Sequence, residues 1–166
     1  SNGHDKKNWQ SDPKIHESKK YKPLVDKVVE LSEHVLNGYE YVYDRFEITD
    51  MWSNILKPGE SHRPHTHPNN LLSGVYYIDS DNININFIDP RPQALVIAPE
   101  VKNYNRENSQ TWFFHSITNR MLLFPAWLQH YIPSNDSNKN RISISFNIML
   151  RGIIGKSTDY NSACID

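Results

Sequence analysis

From Gly38 to Leu150 the chain offers one strand-like run after another and no helical pattern between them. The runs "YEYVYDRFEI", "MWSNIL", "LLSGVYYI", "NININFI", "ALVIA", "TWFFHSI", "MLLFPAW" and "RISISFNIML" are rich in aromatic and β-branched residues, with turn residues between them. They recur roughly every ten residues. "NININFI" alternates polar and apolar strictly, so one of its faces is wet. Short strands at regular spacing predict a mainly β fold: an antiparallel sandwich or barrel, of which the jelly roll (double-stranded β-helix, cupin-like) is one form.

Ahead of the strands, residues 22–37 carry apolar side chains at Leu24, Val25, Val28, Leu31, Val35 and Leu36. That spacing is helical, with Pro23 at its start and Gly38 just past its end. Residues 1–21 are polar and without period, and are read as an irregular arm in which Trp9 docks on the domain. Residues 151–166 read as a loose tail. The expected organisation is one domain over 1–166, with residues 39–150 as its core; 166 residues suffice to bury one.

Eighteen basic residues against nineteen acidic ones leave no field to steer the chain to nucleic acid or an anionic membrane. No apolar run approaches the roughly 18 residues of a membrane span. The first 20 residues lack the apolar stretch of a signal peptide, and Cys164 has no second cysteine to pair with. Both point to a reducing, cytoplasmic setting.

The segment "HRPHTHPNN" places three histidines within six residues. His65 and His67 are two apart, so on a strand both point to one face and can reach one ion. Two ligands seldom suffice, and His130, in "LLFPAWLQHYIPSN", is the third candidate. Arg141 opens "RISISFNI", where alternation puts Arg141, Ser143 and Ser145 on one face and Ile142, Ile144 and Phe146 on the core-like other. An arginine on an inward face is costly unless it meets an anion, and its planar guanidinium suits a carboxylate. A polar turn before a strand, and an arginine paired with a protein acid, remain open readings of the same residues.

The stretch "KPGESHRPHTHPNNLLSGVYYI…LLFPAWLQHYIPSNDSNKNRISISFNI" resembles the 2-oxoglutarate/Fe(II)-dependent oxygenases, a group related to the prolyl hydroxylases. The likeness runs from about Trp52 to Ile148. It implies a distorted jelly roll holding Fe(II) through H-x-D/E and a distal histidine, with an R-x-S motif binding the far carboxylate of 2-oxoglutarate. His65 takes the first ligand position and His130 the distal one. Arg141 and Ser143 match R-x-S, and Tyr77 is similar to a tyrosine that faces the same co-substrate. His67 stands where the family has its carboxylate. Three imidazoles suit iron but carry one negative charge fewer. The implied reaction is hydroxylation of a peptidyl or small-molecule substrate by dioxygen, with release of succinate and CO2. Members of this group often pair as homodimers and work in a bacterial or phage-infected cytoplasm.

Two rival classes fit parts of the sequence. "GESHRPHTH" and "PAWLQH" are similar to cupin motifs, and a three-histidine cupin would use a metal without 2-oxoglutarate; it would have no need of Arg141. A β-sandwich binding module would need no metal at all. Among other candidates, Asn54 shares a strand face with Trp52 and is read as a co-substrate contact. Asn69 or Asn70 is a candidate to support the metal site from behind. His62 has the wrong parity for a ligand, His115 reads as a strand histidine, and Trp127 as a wall of the site or core. His4, His16 and His34 read as surface residues, and neither Asp79 nor Asp89 has a spacing that supplies a ligand.

Overall fold

The structure is a computed structural model that describes residues 8–91, 96–105, 107–156, 158 and 160–166; the side chains of residues 81 and 82 are not described. Among these, ten strands and one α-helix form two facing sheets. Strand β1 is Trp9–Gln10, followed by two single turns of 3-10 helix, Ile15–Glu17 and Lys19–Tyr21, and by helix α1, Lys22–Gly38. Then come β2 (Arg45–Leu56), β3 (His62–His65), β4 (Leu72–Asp79), β5 (Asp81–Ile88) and β6 (Thr111–Ile117). The chain finishes with β7 (Met121–Pro125), β8 (His130–Ile132), β9 (Arg141–Ile154) and β10 (Ala163–Ile165). The larger sheet runs β1-β2-β9-β4-β7, with β10 on β9; the smaller runs β3-β8-β5-β6. All these strand pairings are antiparallel, the arrangement of a jelly roll.

Alternation in β9 organises the interior. Ile144, Phe146, Ile148 and Leu150 face outward and pack with Val28 and Leu36 of α1 into one core. The helix buries Val28, Ser32 and Leu36, four residues apart, as one stripe. Glycine is required at Gly74. It pairs with Phe146 across the sheet, and a Cβ there would run into the Phe146 ring and the Leu122 carbonyl. The inner face carries Arg141, Ser143, Ser145 and Asn147. Beside them lie Val75 and Tyr77, which join Leu56, Ile85, Phe87, Phe124 and Ile132 in a second core between the sheets.

The structure departs from the sequence expectations in four places. Residues 39–44 are not strand: the chain leaves α1 through a left-handed Glu40 (φ 55°), and Tyr39 and Tyr41 pack on one another in solvent. The two runs expected at 39–48 and 51–56 are one strand from Arg45, kinked by a bulge between Ile48 and Asp50. The expected 94–98 strand lies partly outside the described residues, and Val96 and Ile97 are exposed turn. Neither end is wholly irregular: β1 pairs with β2, and β9 runs on to Ile154 and carries β10. Edge backbone groups need partners whatever the side chains, so polar termini can still form strands. Among the described residues no helix is long and apolar enough to cross a membrane.

Candidate functional site

Three histidines converge at one end of the sandwich. His65 ends β3 and His130 begins β8, and the two are cross-strand partners. His67 lies just past β3, where its backbone N–H donates to the Ala126 carbonyl (2.9 Å) and ties the segment to the β7–β8 turn. One ring nitrogen from each of the three lies within 4.8 Å of the others, close enough to share a metal ion. Ring centroids stand 4.4 Å apart for His65 and His130 and 5.2 Å for His67 and His130.

Two rings are held from behind. Nδ1 of His65 lies 2.7 Å from the Arg63 carbonyl and Nδ1 of His130 lies 3.0 Å from the Leu128 carbonyl. A carbonyl only accepts, so Nδ1 carries a proton in both, which leaves Nε2 as the atom that could bind a metal ion. His67 instead lies against the Trp52 indole, at 5.9 Å. Burial, followed by the charge of neighbouring His65, lowers the His67 pKa to about 4. Burial lowers that of His130 to about 4 as well, against the opposing pull of the Leu128 carbonyl. Both rings are therefore neutral at ordinary pH, the state a ligand needs.

His62 joins this group although alternation would turn it away. Between His62 and His65 the β3–β8 register shifts by one residue, and such a bulge brings both side chains to one face. The His62 ring stands 6.2 Å from His65 in the same pocket. Its pKa falls to about 4 through burial, then through the charges of His65, Arg141 and His130.

Arg141 lies in the same pocket, 3% exposed. Among the described residues no carboxylate pairs with it. Its guanidinium makes one long contact to the Ser143 hydroxyl (3.4 Å) and lies over the Tyr77 ring, 5.0 Å from the centroid. Its Nε and the Tyr77 hydroxyl are both buried and, among the described residues, make no well-aligned hydrogen bond, although the Tyr77 oxygen lies near the guanidinium. Burial lowers its pKa and the Tyr77 oxygen partly restores it, yet an arginine stays charged. Arg141, Ser143, Tyr77 and the buried Asn54 therefore occupy adjoining rungs of one inner face.

Asn54 is a hub. Its Oδ1 accepts from Gln10 Nε2 (2.9 Å) and Trp52 Nε1 (3.0 Å), and its Nδ2 donates to Ser145 Oγ (2.9 Å). One amide hydrogen remains. Gln10, on the N-terminal strand, lines the pocket through this contact; nothing in its polar neighbourhood marks it in the sequence. Among the described residues no aspartate or glutamate lines the pocket. Asp89 is held by Arg91 (2.6 Å). Asn70 is bonded to Thr49 and Pro68. His115 stands on the outer face of β6 against Phe113, and Trp127 is 61% exposed, neither site wall nor core.

The family model described as "Putative 2OG-Fe(II) oxygenase" matches residues 50–147, more than half of the chain. No curated protein sequence matches it. Among solved structures, the non-heme alpha ketoglutarate dependent epimerase SnoN from nogalamycin biosynthesis superposes with a TM-score of 0.64 at 11% identity, over 92% of this chain and 67% of SnoN. A Pseudomonas putida prolyl-4-hydroxylase gives 0.58 at 13% identity, over 87% of this chain and 72% of the hydroxylase. An oxidoreductase of the 2OG-Fe(II) oxygenase family from Burkholderia pseudomallei gives 0.48 at 12% identity, over 63% of this chain, which spans 45% of that protein's length. At such identities the first two likenesses establish the fold, and the match over residues 50–147 establishes that the chain belongs to the 2OG-Fe(II) oxygenase family of oxidoreductases.

Proposed function

We infer that the chain is a 2-oxoglutarate- and Fe(II)-dependent dioxygenase in which His65, His67 and His130 carry the metal. Arg141, Ser143 and Tyr77 hold the far carboxylate of 2-oxoglutarate, and Asn54 lines the same space. The observation that carries this reading is a buried cation with no anion beside it among the described residues. A guanidinium 3% exposed and unpaired costs several kcal/mol, and a fold keeps such a group where a ligand supplies the missing charge. The Tyr77 hydroxyl and Arg141 Nε make no well-aligned hydrogen bond among the described residues, and both are donors that a carboxylate would satisfy.

The donor set fits iron. Three neutral imidazoles are good ligands for Fe(II), and the carbonyls of Arg63 and Leu128 fix two of them with Nε2 toward the ion. With no carboxylate among them, the full dipositive charge is left to attract an anionic co-substrate. Iron bound there supplies activation of dioxygen coupled to conversion of 2-oxoglutarate to succinate and CO2, and so hydroxylation of a substrate. The chain's part is to orient and to keep water out. Arg141 and Ser143 grip one end of the co-substrate, and Val75, Ile85, Phe124 and Ile132 wall the pocket with hydrocarbon. SnoN has been solved in complex with Fe3+, alpha ketoglutarate and nogalamycin RO, which supports iron and 2-oxoglutarate as this chain's partners too. The substrate is a small molecule or a peptidyl group.

The test is an anaerobic titration of Fe(II)-loaded protein with 2-oxoglutarate, following the visible metal-to-ligand charge-transfer band. A saturable band is the expected result. Iron binding without a band would overturn the co-substrate assignment and favour a three-histidine metalloprotein of another kind. Failure to bind iron would remove the metal site altogether.

A further inference from the structure

A cavity of about 530 Å³ opens beside the histidine cluster, walled by Phe87, Trp112, Phe114, Leu122, Phe124 and Leu128. The end of β5, the start of β6 and the β7–β8 turn surround it, the same end of the sandwich that carries the histidines. No histidine lines it among the described residues; Phe87 and Phe124 stand between it and the cluster. The Phe87 and Phe124 rings stand 5.8 and 4.8 Å from the His130 ring, and Phe124 lines both the cavity and the histidine pocket. Leu128 supplies both a wall and the carbonyl that holds His130.

The space is a cleft open to solvent, and its walls are mostly hydrocarbon, which gains by being covered. The charges at its mouth satisfy one another: Arg91 chelates Asp89 through Nε and Nη2. Among the described residues a charged ligand therefore meets no net opposite charge, whereas a flat apolar one meets four aromatic walls. The volume also falls in the range of about 300–1,000 Å³ that encloses a small molecule, and is more than a single aliphatic side chain would fill.

We propose that this cavity is the substrate pocket, and that it takes the ring-bearing apolar body of an uncharged small molecule with its reacting end on the Phe124 side, next to His130. The proposal rests on the oxygenase reading above, but occupancy of the cavity can be measured without it.

The two neighbouring phenylalanines of β6 provide the test. Phe114 lines the cavity and is 45% exposed; Phe113 is 54% exposed and turns to the opposite face. Either tolerates a polar substitution better than a core residue does. The probe is N-phenyl-1-naphthylamine, uncharged and fluorescent in apolar surroundings, titrated first into metal-free protein. Saturable one-site binding is expected, weakened at least tenfold by Phe114→Asp and less than twofold by Phe113→Asp. In the Fe(II)- and 2-oxoglutarate-loaded protein, held anaerobic, saturation with the probe should then shift the charge-transfer band. No saturable binding, or equal losses in the two variants, overturns the cavity as a binding site. Binding that leaves an existing band unmoved overturns its assignment to the substrate. If the probe binds selectively but no band forms at all, the oxygenase reading has failed and the substrate assignment falls with it, while the cavity stands as a ligand site.

Discussion

Replacing Arg141 by methionine should make the protein more stable and less able to hold its co-substrate. Arg141 is 3% exposed, has no carboxylate partner among the described residues, and makes only a 3.4 Å contact to Ser143 and a face contact to Tyr77. Swapping buried ionic groups for hydrocarbon of similar volume is neutral or stabilising by about 1–4 kcal/mol. Loss of the contact with Tyr77 returns about 0.5–2 kcal/mol. A net gain of about 1–2 kcal/mol is expected, or roughly 2–8 °C in Tm for a chain of this size. The same change strips the co-substrate of its charge-assisted hydrogen bonds, at a cost of about 3 kcal/mol or roughly 100-fold in Kd. At a 2-oxoglutarate concentration 100 times its Kd, the wild-type protein gains about 2.7 kcal/mol, and the variant only about 0.4 kcal/mol at that concentration. Urea unfolding of Fe(II)-loaded protein under argon, with and without 2-oxoglutarate, measures both quantities. A loss of about 3–5 kcal/mol without co-substrate would show that Arg141 serves an internal partner. Equal stabilisation of both proteins by 2-oxoglutarate would refute the assignment of its carboxylate.

Three further outcomes follow from the same geometry. His130→Ala should weaken Fe(II) binding more than about 100-fold, because even the groups behind a ligand are worth about 10–100-fold; unchanged affinity by equilibrium titration would remove the triad. Asn54→Ala leaves Gln10, Trp52 and Ser145 without their common partner. It should cost about 2–4 kcal/mol in urea unfolding and change the emission of Trp52, and a loss below about 0.5 kcal/mol would contradict the hub. His62, His67 and His130 titrate near pH 4 when folded and near 6.5 when unfolded. Between those values the unfolded chain binds more protons, so metal-free stability should fall as pH drops from 6.5 toward 4 and stay flat above 7. Constant stability from pH 7.5 to 5 would rule this out.

Much of this molecule is visible in its residue types. The β-branched and aromatic runs mark most strands, the spacing from Leu24 to Leu36 marks the helix, and the alternation of "RISISF" separates the Arg141 face from the helix-facing one. What escapes the sequence depends on register. His62 reaches the pocket only because β3 bulges, and alternation alone turns it away. Thr49 and Asp50 look like a break between strands, but the break is a bulge within one. Gln10 and the cavity beside His130 arise from pairings more than forty residues apart in sequence, and no local pattern records them.

The two-residue strand β1 gives the amino-terminal segment an importance out of proportion to its length. Trp9 and Gln10 pair with Ile55 and Asn54, and through Asn54 the arm is bonded to the indole that lies on His67. Trimming the chain after Gln10, or fusing a bulky affinity tag against it, would therefore perturb metal loading from outside the sandwich. Anyone preparing the protein for spectroscopy is better served by a handle at the other terminus, where Ala163–Ile165 pairs at the far end of β9 from Arg141.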